Sequence, residues 1–278
     1  MSPKQTIFVV RQGTLALLLW PAADLAWNAW ADQLGPKPIT QAIHWTGDWT
    51  VVFLLATLAL TPARAVFGWQ PLVSIRRRIG VATALYALLH LTLYAYDQKW
   101  DLVFVATEIV KRFYLTIGFV ALLLLQVLAI TSTDGWQRKL KKNWQRLHRA
   151  VYVILALALV HFLLQSKLNI TDATLAAGLA SWLIMWRLLP RRRRNSLAAL
   201  ALITLLAPVI TIGVETAWYG LVNHVNAWRV FYANFNPALA PRPALKVLLA
   251  GLAVLLFAVG RRLVELWRAR RTAPLAAE

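Results

Sequence analysis

The chain has 278 residues, of which 59% are hydrophobic and only 15% charged, with 14 Trp and no Cys. An ordinary soluble domain is about a quarter charged, so the composition excludes a soluble globule, and the missing cysteines exclude disulfides, thiolate metal sites, cysteine nucleophiles and c-type haem attachment. The net charge of +19 would suit nucleic acid on a soluble face, but its confinement to short stretches between apolar blocks assigns it to lipid headgroups and leaves no nucleic-acid partner.

In chain order, apolar blocks near the roughly 20 residues that cross about 30 Å of hydrocarbon predict helices over about 12–31, 48–67, 78–97, 113–132, 146–165, 171–189, 197–216 and 245–264. The expected fold class is all-α, a polytopic transmembrane helix bundle of about eight helices. The first block carries Pro21 and Asp24 and is read as a helix, not a cleaved signal, because no persuasive cleavage site follows Leu15 to Trp20. Pro208 predicts a kink in the seventh helix, and Trp218 to Arg242 reads as an outer loop or interfacial helix. No internal repeat, low-complexity tract or soluble domain is evident.

Threading the blocks alternately from an inner N-terminus puts Lys4, Arg11, Arg64, Arg76 to Arg78, the bases from Arg138 to Arg149, Arg187, Arg191 to Arg194, and Arg261 to Arg271 inside. Only eight of the 30 bases stay outside: Lys37, Lys99, Lys111, Arg112, Lys167, Arg229, Arg242 and Lys246. This is the positive-inside pattern, and it puts both termini in the cytoplasm.

Ionisable groups at membrane depth are costly and are therefore the candidates for chemistry. His90 lies twelve residues beyond Arg78 and His161 twelve residues beyond Arg149, on helices running the same way. Equal offsets put both imidazoles at one depth, about 18 Å past those arginines and towards the outer face. Two neutral imidazoles so matched can clamp a haem iron axially between helices. The competing reading is a pair of helix-to-helix hydrogen-bonding groups. Leu, Val, Ala and Tyr flank both positions, whereas zinc or di-iron would need more ligands, and Asp97, Asp101 and Glu108 fall at or beyond the outer boundary. His148, about 20 Å nearer the cytoplasm and off the ideal-helix face of His161, is either a solvated interfacial group or a ligand to a second haem. His44 and His224 read as surface groups.

The run from Lys111 to Gly118, then Ile130 to Thr133, Trp136 to Leu140, Trp144 to His148, and His161 resembles the MsrQ family, the haem-binding membrane subunits of periplasmic protein-methionine-sulfoxide reductase systems. His44 to Gly47, Leu54 to Pro62, Arg77 to Gly80 and His90 to Thr92 are similar to that family in the same order. The resemblance spans roughly residues 40 to 190. It implies a ferric-reductase-like transmembrane fold, haem b in one copy or two, and FMN. It also implies electrons from quinol and a periplasmic molybdopterin-dependent methionine sulfoxide reductase as acceptor, in the bacterial inner membrane. By position His90 and His161 match the family's haem ligands and His148 its additional histidine. Residues 1–194 would form a six-helix haem domain. Residues 195–278 would add two helices that the family core lacks. The rival reading from the same superfamily is an electron carrier fed by a cytoplasmic flavin reductase with another acceptor. A substrate transporter and a noncatalytic assembly protein are the readings from other classes.

Overall fold

A computed structural model describes residues 2–272, and the described residues are helical, with no strand among them. Seven of their helices are long and apolar enough to cross a membrane by length and composition. The described residues form two compact units, residues 2–60 with 71–167, and residues 61–70 with 168–272.

The first unit opens with α1 (Pro3–Trp30), which starts nine residues before the apolar block because Ser2 and Gln5 form a capping box around its first turn. α2 (Pro38–Phe67) likewise begins ten residues early, and its last turns belong to the second unit. A hydropathy window registers only the apolar part of such helices, so the polar turns at their ends escape it. Pro21 lacks the N–H that would serve the helix carbonyl four residues earlier. Around it, Tyr86 donates its hydroxyl to the Leu18 carbonyl at 2.8 Å and Trp45 its indole N–H to the Pro21 carbonyl at 2.9 Å. These bonds hold α1 against α2 and α3 (Arg76–Asp97). Leu18, Phe53, Leu60, Ile75, Ile79 and Tyr86 form a core cluster there, with the Phe53 and Tyr86 rings edge to face at 5.0 Å.

After α3, Asp101 caps the short α4 (Leu102–Lys111), and α5 (Phe113–Ile130) follows directly. Two short helices, α6 (Asp134–Leu140) and α7 (Lys142–His148), lead into α8 (Val151–Ser166). The expected fifth helix over 146–165 is thus interrupted at Arg149 and Ala150, and extends back to Lys142 as part of one apolar span. α5 packs on α8 and α3. Arg77 bonds Asp134 at 2.6 Å, joining the start of α3 to the start of α6.

The second unit contains α9 (Thr171–Leu188), α10 (Leu197–Leu221), α11 (Ala227–Ala233) and α12 (Pro243–Thr272). α9 is an 18-residue helix that falls outside the seven apolar spans. It carries Asp172 and Arg187 in its end turns and buries Thr174, Trp182 and Trp186, whose surroundings are α10 and α12 and not lipid. Packing there is close: a Cβ on Gly178 would meet Thr211 and Val247, and one on Gly251 would meet Thr204. Arg194 closes α9 by donating to the carbonyls of Arg187 and Leu189. α10 runs through Pro208 to Leu221, five residues beyond the expected end, so Trp218 lies on a helix and the segment between α10 and α12 contains the two-turn α11.

Candidate functional site

The site is built in the first unit from four helices. α2 and α3 supply one half, α5 and α8 the other. His90 on α3 is half-buried, with Nδ1 2.8 Å from the carbonyl oxygen of Ile43 on α2. His161 on α8 is also half-buried, with Nδ1 2.8 Å from the carbonyl oxygen of Tyr114 on α5. A carbonyl can only accept, so each Nδ1 carries the proton and donates, and each neutral ring keeps its lone pair on Nε2. The two rings meet with centroids 6.4 Å apart and planes at 88°. The structure therefore brings together the two histidines that equal spacing from Arg78 and Arg149 had paired.

What this pair can hold follows from the donors. Two metal–imidazole bonds of about 2 Å and the two ring half-widths together span about 6 Å, which agrees with the observed centroid separation. Among the described residues, no three His, Cys, Asp or Glu side chains cluster so as to hold a metal ion. A metal between His90 and His161 must bring its own equatorial ligands, and haem iron does so. The residues present fit that group.

His148 sits apart. Its ring stacks on Trp144 at 3.9 Å, its Nδ1 lies 3.1 Å from the Trp144 carbonyl, and its Nε2 lies 3.3 Å from the Ser132 hydroxyl. Both ring nitrogens already have protein partners, unlike the lone-pair arrangement of the other two. The break at Arg149 and Ala150 also removes the ideal-helix relation between His148 and His161. His44 and His224 are exposed.

A polar group in the second unit was not singled out from the sequence. Glu215 on α10 is 1% exposed and bonds Arg242 at 2.7 Å and the Asn234 amide at 2.9 Å. The available signal was a lone acid in an otherwise apolar helix, obscured because the block seemed to end at residue 216. The structure extends the helix past it.

Residues 46–159 match the family model described as ferric reductase like transmembrane component. The protein-methionine-sulfoxide reductase heme-binding subunit MsrQ of Xanthomonas campestris pv. campestris (strain B100) is 43% identical over 199 residues, covering 68% of this chain and 90% of the relative. The chain belongs to the MsrQ family. The MsrQ proteins of Xanthomonas oryzae pv. oryzae (strain MAFF 311018) and Azospira oryzae are 41% and 38% identical, over 87% and 84% of their lengths. No solved structure matches the chain. About a third of this chain lies outside its alignment with the Xanthomonas campestris relative, and the ferric-reductase-like region contains the whole of α3, α5 and α7 with both His90 and His148, ending two residues before His161.

Proposed function

We propose that this chain is the membrane b-type cytochrome subunit that carries electrons from the quinol pool to a periplasmic molybdenum-cofactor methionine sulfoxide reductase, in support of the repair of oxidised periplasmic proteins. The observation that carries the reading is the His90–His161 pair, two imidazoles each with Nδ1 against a carbonyl and with ring centroids 6.4 Å apart, a separation that suits one metal centre between them. The names of the MsrQ relatives, heme-binding subunits of a protein-methionine-sulfoxide reductase, support the cofactor and the partner. Haem b bound there would supply a one-electron centre, with His90 and His161 as its axial ligands. The chain's own part is to hold both imidazoles in the correct tautomer and at a depth near the outer face.

His148 is the residue for a second haem in this reading. FMN belongs to it through family resemblance alone, with no residue assigned. The domain reading keeps residues 1–194 as the haem domain and 195–278 as an extension. The location is the bacterial inner membrane with both termini cytoplasmic. That topology requires α9 to cross as well, bringing the crossings to eight, since otherwise Arg261 and the bases after it would stay outside.

The test is the purified protein's reduced spectrum, then reconstitution in lipid with a reduced quinone and a periplasmic methionine sulfoxide reductase. Reductase reduction that depends on intact His90 and His161 is the expected result. Success only with a cytoplasmic flavin reductase would replace the donor. Failure with both donors in a haem-loaded sample would remove this acceptor, and a colourless protein would remove the function.

A further inference from the structure

Beside the two histidines stand two glycines that the haem reading leaves without a role. A Cβ on Gly118 would lie 2.7 Å from Nδ1 and Cε1 of His161, and a Cβ on Gly47 would lie 3.1 Å from Nδ1 of His90. Gly68, Gly178 and Gly251 are approached as closely by other side chains, but only Gly47 and Gly118 meet a histidine ring, and Gly13, Gly213 and Gly260 have nothing within 4 Å of the same position.

Each glycine follows by four residues the residue whose carbonyl accepts the histidine proton, Ile43 before Gly47 and Tyr114 before Gly118. One turn of α2, or of α5, thus offers an acceptor for Nδ1–H and a bare backbone against which the ring lies. In both halves 47 residues separate the carbonyl from its histidine. The whole set recurs at an offset of 71 residues: Ile43 to Tyr114, Gly47 to Gly118, Arg78 to Arg149 and His90 to His161. These four correspondences relate the α2–α3 half of the site to the α5–α8 half.

A single hydrogen bond at Nδ1 fixes a tautomer but lets the ring pivot about the bond. The glycine backbone, one turn further along the same helix and against the same Nδ1–Cε1 edge of the ring, limits that pivot, since the ring lies directly on the helix and has no room to turn towards it. We infer that Gly47 and Gly118, with the carbonyls of Ile43 and Tyr114, are matched positioning cradles that hold His90 and His161 as Nδ1–H tautomers with crossed planes, and that this crossing sets the electronic state of the metal they share. The inference rests on the haem reading. Outer partners of this kind orient ligand rings and tune the metal. Crossed imidazoles engage different iron d orbitals and leave those orbitals nearly degenerate, whereas parallel rings would split them. Near-degeneracy gives low-spin ferric iron a strongly anisotropic EPR signal with one unusually large g value.

The experiment uses the full chain in lipid nanodiscs, reading ferric EPR, reduction potential and haem content. The wild type should show the large-g signal. Gly47→Ala should keep haem while its signal moves towards the ordinary rhombic type and its potential shifts. Gly118→Ala should do the same or retain haem about 10-fold more weakly, and Gly13→Ala, at an open position, should change nothing. Should Gly118→Ala not accumulate, Gly47→Ala decides alone. A wild-type spectrum of the parallel-ring type overturns the inference, as do unchanged spectra and potentials in the variants or equal shifts in Gly13→Ala. A wild type without haem overturns the underlying reading instead.

Discussion

Arg261 on α12 donates to the carbonyl oxygen of Val66 at 2.8 Å, across 195 residues of sequence. It also reaches the carbonyl of Ala65 at 3.4 Å. Both carbonyls lie in the last turn of α2, where no further helical N–H exists to serve them and the negative end of the helix dipole favours a cation. Gly68, at φ 69°, turns the chain away, and a Cβ there would strike the guanidinium at 2.7 Å. Phe67 and Phe257 pack edge to face beside the contact. A residue of α12 thus acts as the cap of the second helix.

Arg261→Ala should therefore loosen the end of α2, at a cost of about 1–2 kcal/mol. Hydrogen exchange in residues 61–70 reports it, and Arg261→Lys should restore part of the protection. Unchanged exchange in both variants would show the cap to be idle.

Removing either proposed ligand should remove the metal centre. His90→Ala and His161→Ala should each leave the protein folded by circular dichroism but without the low-spin haem absorbance of the parent. A full haem complement in either variant would reject the pair as ligands.

For His148 the expected result is separation from that centre. His148→Ala should leave the His90 and His161 signal intact, while losing the Trp144 stack and the Ser132 contact, worth about 1–2 kcal/mol together. In the two-haem reading it also lowers total haem and slows electron entry. Unchanged haem content and turnover would return His148 to an interfacial structural role.

The buried Glu215–Arg242 pair predicts asymmetry between single and double changes. Arg242→Met alone leaves a buried carboxylate facing only Asn234 and should destabilise the second unit by about 3 kcal/mol. Combining it with Glu215→Gln should recover much of the loss, measured as the thermal midpoint in detergent. Additive losses would mean that the two side chains do not act as a pair.

The close contacts of α9, α10 and α12 predict overpacking. Gly178→Ala places a methyl group against Thr211 and Val247, and Gly251→Ala places one against Thr204. Each should cost about 1–3 kcal/mol, whereas Gly260→Ala, open on the same α12, should cost nothing measurable by the same melt.

The helices were legible because runs of Leu, Ala and Val of membrane-crossing length stand out from polar punctuation, and the pairing of His90 with His161 was legible because both lie one fixed distance from an arginine. Their surroundings were not. Gly47 and Gly118 are ordinary small residues in an apolar helix until another helix is laid across them, and the acceptors are backbone carbonyls, which every residue has. The short α4 escaped for a different reason: it is shorter than any membrane-crossing window, whereas α11 falls within the stretch from Trp218 to Arg242 that reads as a loop or interfacial helix. Glu215 was visible as a residue, but its partner Arg242 lies 27 residues away, at the end of a stretch that reads as a loop or interfacial helix.

The composition of α9 bears on how the chain enters a membrane. Its Asp172, Arg187 and buried threonine give it the weakest claim among the long helices to partition into lipid unaided. Trp182 finds its partner in Thr204 on α10, and Gly178 meets residues of both α10 and α12, so the seam that shelters α9 is synthesised after it. Insertion at this point should be a joint event in which α9 waits beside the translocation channel until its later neighbours arrive. A ribosome-stalled chain that stops before α10 emerges would leave that helix accessible to water-borne labels, and the completed chain would not.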